Sequence, residues 1–208
     1  NKFFTVCITT VLVIFIFCLN SCQRSIGESD SKHDSSTNGI KVLFDTDIGG
    51  DVDDVGALVI LNNYVNQGKV ELLAVGVCAY NPYSPGVIDS VCQYYGNTDV
   101  RIGQCDFNDE QIDYADKQLD IYSKPLYYDY YNRFSAGDEK PEQVIDMYRE
   151  LLEKADDKSV VFISVGFLNN LYDLLESEPD KISPLTGRQL IQKRLISWFV
   201  WEDVFLHL

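Results

Sequence analysis

From residue 40 onwards, short β-branched runs alternate with longer segments whose apolar positions recur every three to four residues. That alternation is the pattern of a parallel sheet covered by helices. Residues 41–44 read as a first strand. Residues 53–66 read as a helix, with Val55, Leu58, Val59 and Leu61 gathered towards one face and Gly68 as its stop. A strand over 70–79 carries Leu72, Leu73, Val75 and Val77, apolar on both faces, and should be interior. Pro85 opens a helix to about residue 95, and 99–102 reads as a short third strand. Periodicity returns at 141–154, a helix with Val144, Met147, Tyr148, Leu151 and Leu152 along its buried stripe. A central strand over 160–164 turns through 165–170 into a helix ending near residue 178. A helix over 185–193 and a strand over 195–200 follow, with no internal repeat. The expected fold is therefore α/β, an open, mostly parallel sheet with helices on both faces and a Rossmann-like core, over residues 40–208.

Two stretches break the pattern. Residues 106–140 are aperiodic, acidic and rich in tyrosine (Tyr114, Tyr122, Tyr127, Tyr128, Tyr130, Tyr131). A loop of that length in a compact domain is a lid, a binding loop or a packed irregular insertion, and packing is the more general explanation of its tyrosines. At the other extreme, Lys2 precedes an apolar run over 3–19 and then Asn20-Ser21-Cys22, the order of an export signal, with a single spanning helix as the alternative. Leu19-Asn20-Ser21-Cys22 resembles the lipobox of bacterial lipoproteins, with Asn20 an unusual residue at its position. The resemblance implies that residues 1–22 are a signal peptide and that Cys22 is acylated. The chain would then be exported to the bacterial cell envelope and meet a membrane only through a lipid anchor. Residues 23–39, rich in Ser, Asp and Asn, read as a flexible polar tether in which His33 is solvated.

Composition narrows the partners. Against 32 Asp and Glu stand 17 Lys and Arg, a net charge of −15, which argues against nucleic acid and for a cation or a neutral small molecule. Outside the signal, Cys78, Cys92 and Cys105 form no CxxC pair and no zinc pattern. They read as three buried small apolar residues, with one disulfide as the alternative in an oxidising compartment.

The chemistry concentrates where the first strand ends. Asp45-Thr-Asp47-Ile-Gly49-Gly50-Asp51-Val-Asp53-Asp54 packs five carboxylates into ten residues, a repulsion that a bound cation would offset. An EF-hand loop starting at Asp45 would need a glutamate where Gly56 sits. The aspartyl-nucleophile motif of haloacid dehalogenase-like phosphatases fits Asp45 and Asp47, but puts Gly49 where Thr or Val belongs. The stretch better resembles the DTDxGxDxDD form of the aspartate-rich motif of nucleoside hydrolases of the inosine-uridine-preferring family. Asn81-Pro-Tyr-Ser84 and Tyr94-Tyr95-Gly96 look like that family's second βα unit. Ser164-Val-Gly166-Phe-Leu168-Asn-Asn170-Leu171 resembles its GPLTNL turn, with Phe167 for Pro and Asn169 for Thr, and Ile182-Ser-Pro184-Leu-Thr-Gly187 resembles the segment after it. The likeness runs from Lys41 to about Ile196.

It implies hydrolysis of the N-glycosidic bond of ribonucleosides by a water activated on Ca²⁺. Asp47, Asp54 and the main-chain carbonyl of Val165 would hold the metal, with Asp47 also the general base. Asp53 and Asn81 would bind the sugar, Asp45 would orient the loop from behind, and Asp51 has no assigned role. A homo-oligomer is compatible with the pattern. Members of that family are longer, and their last metal-binding aspartate and base-contacting residues lie in a C-terminal part that this chain lacks. Where the family reads something like V-x-M-G-G-x-F-P, this chain has Phe199-Val-Trp201-Glu-Asp203-Val-Phe205-Leu-His207-Leu208. Suitable codons for residues 198–207, read after dropping two bases, give Val-Cys-Met-Gly-Gly-Cys-Phe-Pro-Ser, and Trp201 before Glu202 forces a glycine there for any codons. The expectation is that residues 198–208 are out of frame and that the chain is an incomplete enzyme. The alternative from another class is a non-catalytic remnant that binds calcium or a sugar.

Overall fold

The computed structural model describes residues 39–50, 52–107, 122–135, 137 and 139–200. The expected signal, lipidated Cys22, all of the tether but Gly39, Asp51 and the final residues 201–208 lie outside them.

Strand β1 (Ile40–Thr46) leads through the acidic loop into α1 (Asp53–Asn66), and β2 (Val70–Val77) into α2 (Ser84–Tyr94). β3 (Arg101–Gln104) is followed by α3 (Ser123–Asp129), the two-residue β4 (Glu142–Gln143) and α4 (Val144–Lys154). β5 (Val160–Ser164), α5 (Asn169–Glu176), α6 (Gly187–Arg194) and β6 (Leu195–Val200) complete the described chain. All five strand pairings are parallel, in the order β4-β3-β2-β1-β5-β6.

Alternation along the strands divides the core between two faces. Leu43, Ala74 and Phe162 pack with Val144, Met147, Tyr148, Leu171, Leu174 and Leu190 from α4, α5 and α6. The intervening Val42, Phe44, Val75 and Val77 are buried on the opposite face, where α1 and α2 lie against the sheet. Gly76 admits α4 closely: a Cβ there would fall on the Tyr148 hydroxyl. Helices thus cover both faces, as the periodicity requires.

The chain steps outward from β1 to β4, then returns to lay β5 on the other side of β1. The reversal of strand order falls at the C-terminal ends of β1 and β5, the place where open α/β sheets put their ligands.

Two elements depart from expectation. The aperiodic stretch holds the short helix α3, and β4 pairs with Gly103 and Gln104 at the sheet's edge where a helix start was expected. Cys78, Cys92 and Cys105 are buried and unpaired with one another, the first of the two readings.

Candidate functional site

Asp45 is fully buried at the end of β1. Its Oδ2 accepts hydrogen bonds from Tyr148 Oη at 2.7 Å and Asn170 Nδ2 at 2.8 Å, while Oδ1 has no partner among the described residues. Burial pushes its carboxyl up to about 7, against the downward pull of the Asn170 and Tyr148 hydrogen bonds. Val165 N donates to Asp45 O at 2.9 Å, so the same residue ties the β5–α5 turn to β1. The phosphatase reading needs Asp45 as an exposed nucleophile, and its complete burial argues against that role.

Asp47 sits above it, half-buried. Its affinity for a proton is raised, first by desolvation and then by the charge of Asp53. Hydrogen bonding from its own backbone and from the Asp54 side chain pulls the other way. The turn after β5 closes on it: a Cβ on Gly166 would lie 2.5 Å from Asp47 N and 2.8 Å from Asp47 Oδ1. Only a glycine at position 166 lets the turn come this close to Asp47. Asp54, in the first turn of α1, is buried and accepts from the Thr46 hydroxyl at 2.5 Å. Asp53, one residue earlier on the helix, is exposed to solvent.

Asn81, expected at the sugar, is buried with 1% exposure. Its Oδ1 accepts from Tyr83 N at 2.9 Å, its carbonyl from Gln104 Nε2 at 2.7 Å, and its Nδ2 donates to Ser123 Oγ at 3.0 Å. It lies against the acidic loop, since Gly49 adopts a φ of 144° and a Cβ there would come 2.5 Å from Asn81 Nδ2. The Ser84 hydroxyl donates to Ile48 O, fastening the loop to the start of α2.

The structure therefore brings Asp47, Asp54 and Gly166 together beyond the ends of β1 and β5, with Val165 tied to Asp45, Asp53 exposed and Asn81 behind Gly49. Sequence reasoning did not single out Tyr148, Tyr122 and Ser123 as neighbours of the site. The signal for Tyr148 was present, because a tyrosine on a buried helical stripe needs a partner for its hydroxyl.

The donor set bears on the expected cation. Asp47, Asp54 and a main-chain carbonyl are hard oxygens of the kind calcium takes, and the desolvation that chiefly raises the proton affinity of Asp47, with the charge of Asp53 added to it, is a cost that a bound cation would offset. Three donors are about half of a calcium shell of roughly six to eight. Among the described residues, no group of three or more His, Cys, Asp or Glu side chains is arranged to hold a metal. The residues present fit such an ion in charge and donor type.

Fold and site define an open α/β protein with an acidic site at the reversal of strand order. No family model matches the chain, and no curated protein matches it. Among solved structures, the effector protein XOO4466 is similar with a TM-score of 0.58 and 15% identity, over 78% of this chain and 43% of that one. A plant nucleoside hydrolase, the PpNRh1 enzyme, is similar with a TM-score of 0.48 and 16% identity, over 77% of this chain and 46% of that one. The chain spans less than half the length of either, and what it shares with XOO4466 is the fold.

Proposed function

We propose that this chain carries the catalytic acidic half of a nucleoside N-glycosidase, which hydrolyses the bond between ribose and a nucleobase. The observation that carries the reading is the half-buried Asp47 carboxyl held against Gly166 in the turn after β5, with Asp54 beside it and Asp53 open to solvent. The likeness of residues 45–54 and 164–171 to the nucleoside hydrolase motifs supplies the chemistry.

Asp47, Asp54 and the Val165 carbonyl would hold a calcium ion. When bound, the ion supplies positive charge that acidifies a water and attracts ribose hydroxyls. Asp47 takes the proton of the attacking water. Asp53 accepts a hydrogen bond from a ribose hydroxyl, while the buried Asn81, first expected at the sugar, supports the loop from behind Gly49. The carboxylates together favour the oxocarbenium-like charge that develops on the sugar as the base departs. Asp45, gripped by Tyr148 and Asn170, keeps the loop on its path. Export and anchoring through Cys22 accompany this reading as a proposal resting on residues 2–22.

Ribose release from inosine and from uridine, with calcium and with a chelator, tests it. Calcium-dependent release that falls about 10²- to 10⁴-fold in Asp47→Asn is expected from loss of a general base. Release unaffected by Asp47→Asn would overturn it. The incomplete donor set favours a second reading, a non-catalytic calcium- or sugar-binding remnant, for which calcium binding without any ribose release is the distinguishing result.

A further inference from the structure

Two hydrogen bonds join the start of α3 to the acidic site. Tyr122 Oη accepts from Gly49 N at 3.2 Å, and Ser123 Oγ accepts from Asn81 Nδ2 at 3.0 Å. Their two targets form one packed unit, because Gly49 and Asn81 leave no room for a Cβ between them. Ser123 and Asn81 are both buried.

The rest of this segment is fixed elsewhere. Gly86 of α2 makes room for Tyr127, whose ring a Cβ would meet at 2.3 Å, and the Tyr83 and Tyr127 rings pack edge to face with centroids 5.5 Å apart. Beyond the helix, Arg133 gives its backbone N and Nε to the buried Asp89, at 2.7 and 2.9 Å, and Nη2 to Val100 O at 2.9 Å. These contacts hold the segment to α2 without help from Tyr122 or Ser123.

We propose that α3 is a strap whose first residues, Tyr122 and Ser123, are positioning residues for the acidic loop between Asp47 and Asp53. The inference rests on the reading of that loop as the catalytic one. The loop needs an outside constraint for two reasons. Gly49 runs in a conformation that only glycine visits readily, so its backbone is weakly held by local preference. The carboxylates around it repel one another, which favours a splayed loop. A phenol and a hydroxyl hold Gly49 and Asn81 without adding a charge that would compete with a cation.

The test uses the full chain with Tyr122→Phe, Ser123→Ala and the conservative Ser123→Thr. Amide hydrogen exchange of peptides spanning residues 47–50 is read beside calcium chloride affinity by titration calorimetry and kcat and KM on inosine. Tyr122→Phe and Ser123→Ala should speed exchange at 47–50 and weaken calcium about fivefold, the effect of one lost hydrogen bond. Exchange in peptides from β2 and α4 should stay unchanged, and Ser123→Thr should restore the parent values. Unchanged exchange at 47–50 in both variants overturns the strap, as does equal acceleration across the whole domain. A parent chain that binds no calcium and releases no ribose defeats the functional reading instead, and the exchange measurement still decides the strap.

Discussion

At the residue scale, the site depends on one missing side chain more than on any present one. A Cβ on Gly166 would lie 2.5 Å from Asp47 N, 2.6 Å from Cys78 Sγ and 2.8 Å from Asp47 Oδ1, and two of those three atoms belong to the proposed base. Gly166→Ala should therefore displace Asp47 rather than unfold the domain. We expect calcium affinity to fall at least about tenfold while the melting temperature drops only a few degrees; calorimetric titration with calcium chloride beside a thermal melt checks this. Unchanged affinity would show that the turn can give way without moving Asp47. The three buried thiols supply a second residue-scale prediction. Desolvation pushes Cys92 up to about 11 and Cys105 up to about 12, and it holds Cys78 well above the ordinary thiol range. The thiolate is the nucleophile, so at pH 8 iodoacetamide should leave all three unlabelled in the folded protein and label them after unfolding, as peptide mapping will show. The acidic loop was legible because five carboxylates in ten residues demand a reason. That Tyr148 and Asn170 grip Asp45, from 103 and 125 residues away, was not legible, since only the topology brings them to it.

Among the elements, regular spacing was the best guide. The helix expected over 53–66 and the strands over 160–164 and 195–200 match α1, β5 and β6 at both ends, because each has a strong local pattern bounded by polar or turn residues. α3 was missed because Ser123-Lys-Pro-Leu-Tyr-Tyr-Asp129 has no amphipathic stripe, and its order comes from packing on Tyr83 and Gly86. Two residues of β4 cannot show a period at all. On α4 the stripe was right, yet it concealed a charge: Arg149 is buried, and it donates to Asp180, Ser177 Oγ, Ser183 O and Leu185 O. This guanidinium organises the connection between α5 and α6. Arg149→Met should destabilise the domain by about 3 kcal/mol in urea denaturation, chiefly by stranding the Ser183 and Leu185 carbonyls. Arg149 also holds the Asp180 carboxyl down at about 2, from an ordinary value of 3.8. A depressed carboxyl binds fewer protons folded than unfolded, so its contribution is present above pH ~4 and lost as pH falls towards ~2. Arg149→Met should flatten the acid limb of the stability curve within that window, and an unchanged limb would place the acid sensitivity elsewhere.

For the whole molecule, the order of strands does more than the identity of any residue. Stepping out from β1 and returning to its other side places the loop after β1 beside the turn after β5, although 118 residues separate Asp47 from Val165 in sequence. Alternating runs could announce a parallel sheet, but no local pattern states the position at which strand order reverses. The same order puts β6 at one end of the described sheet. There Ile196, Trp198 and Val200 are exposed on one face, with Trp198 at 51%, so an apolar strip adjoins a strand edge that has no partner strand among the described residues. Such an edge promotes pairing with another chain, and the charge of −15 opposes it at low ionic strength. Association should accordingly grow with added salt, as the repulsion is screened and the apolar strip is not. Trp198→Lys places a charge in the middle of the strip, and surface substitutions of this kind change stability by only about 0.5 kcal/mol. Light scattering at rising sodium chloride should show the parent chain associating and the variant remaining dispersed, at nearly equal melting temperatures. If both associate alike, the contact lies on another surface.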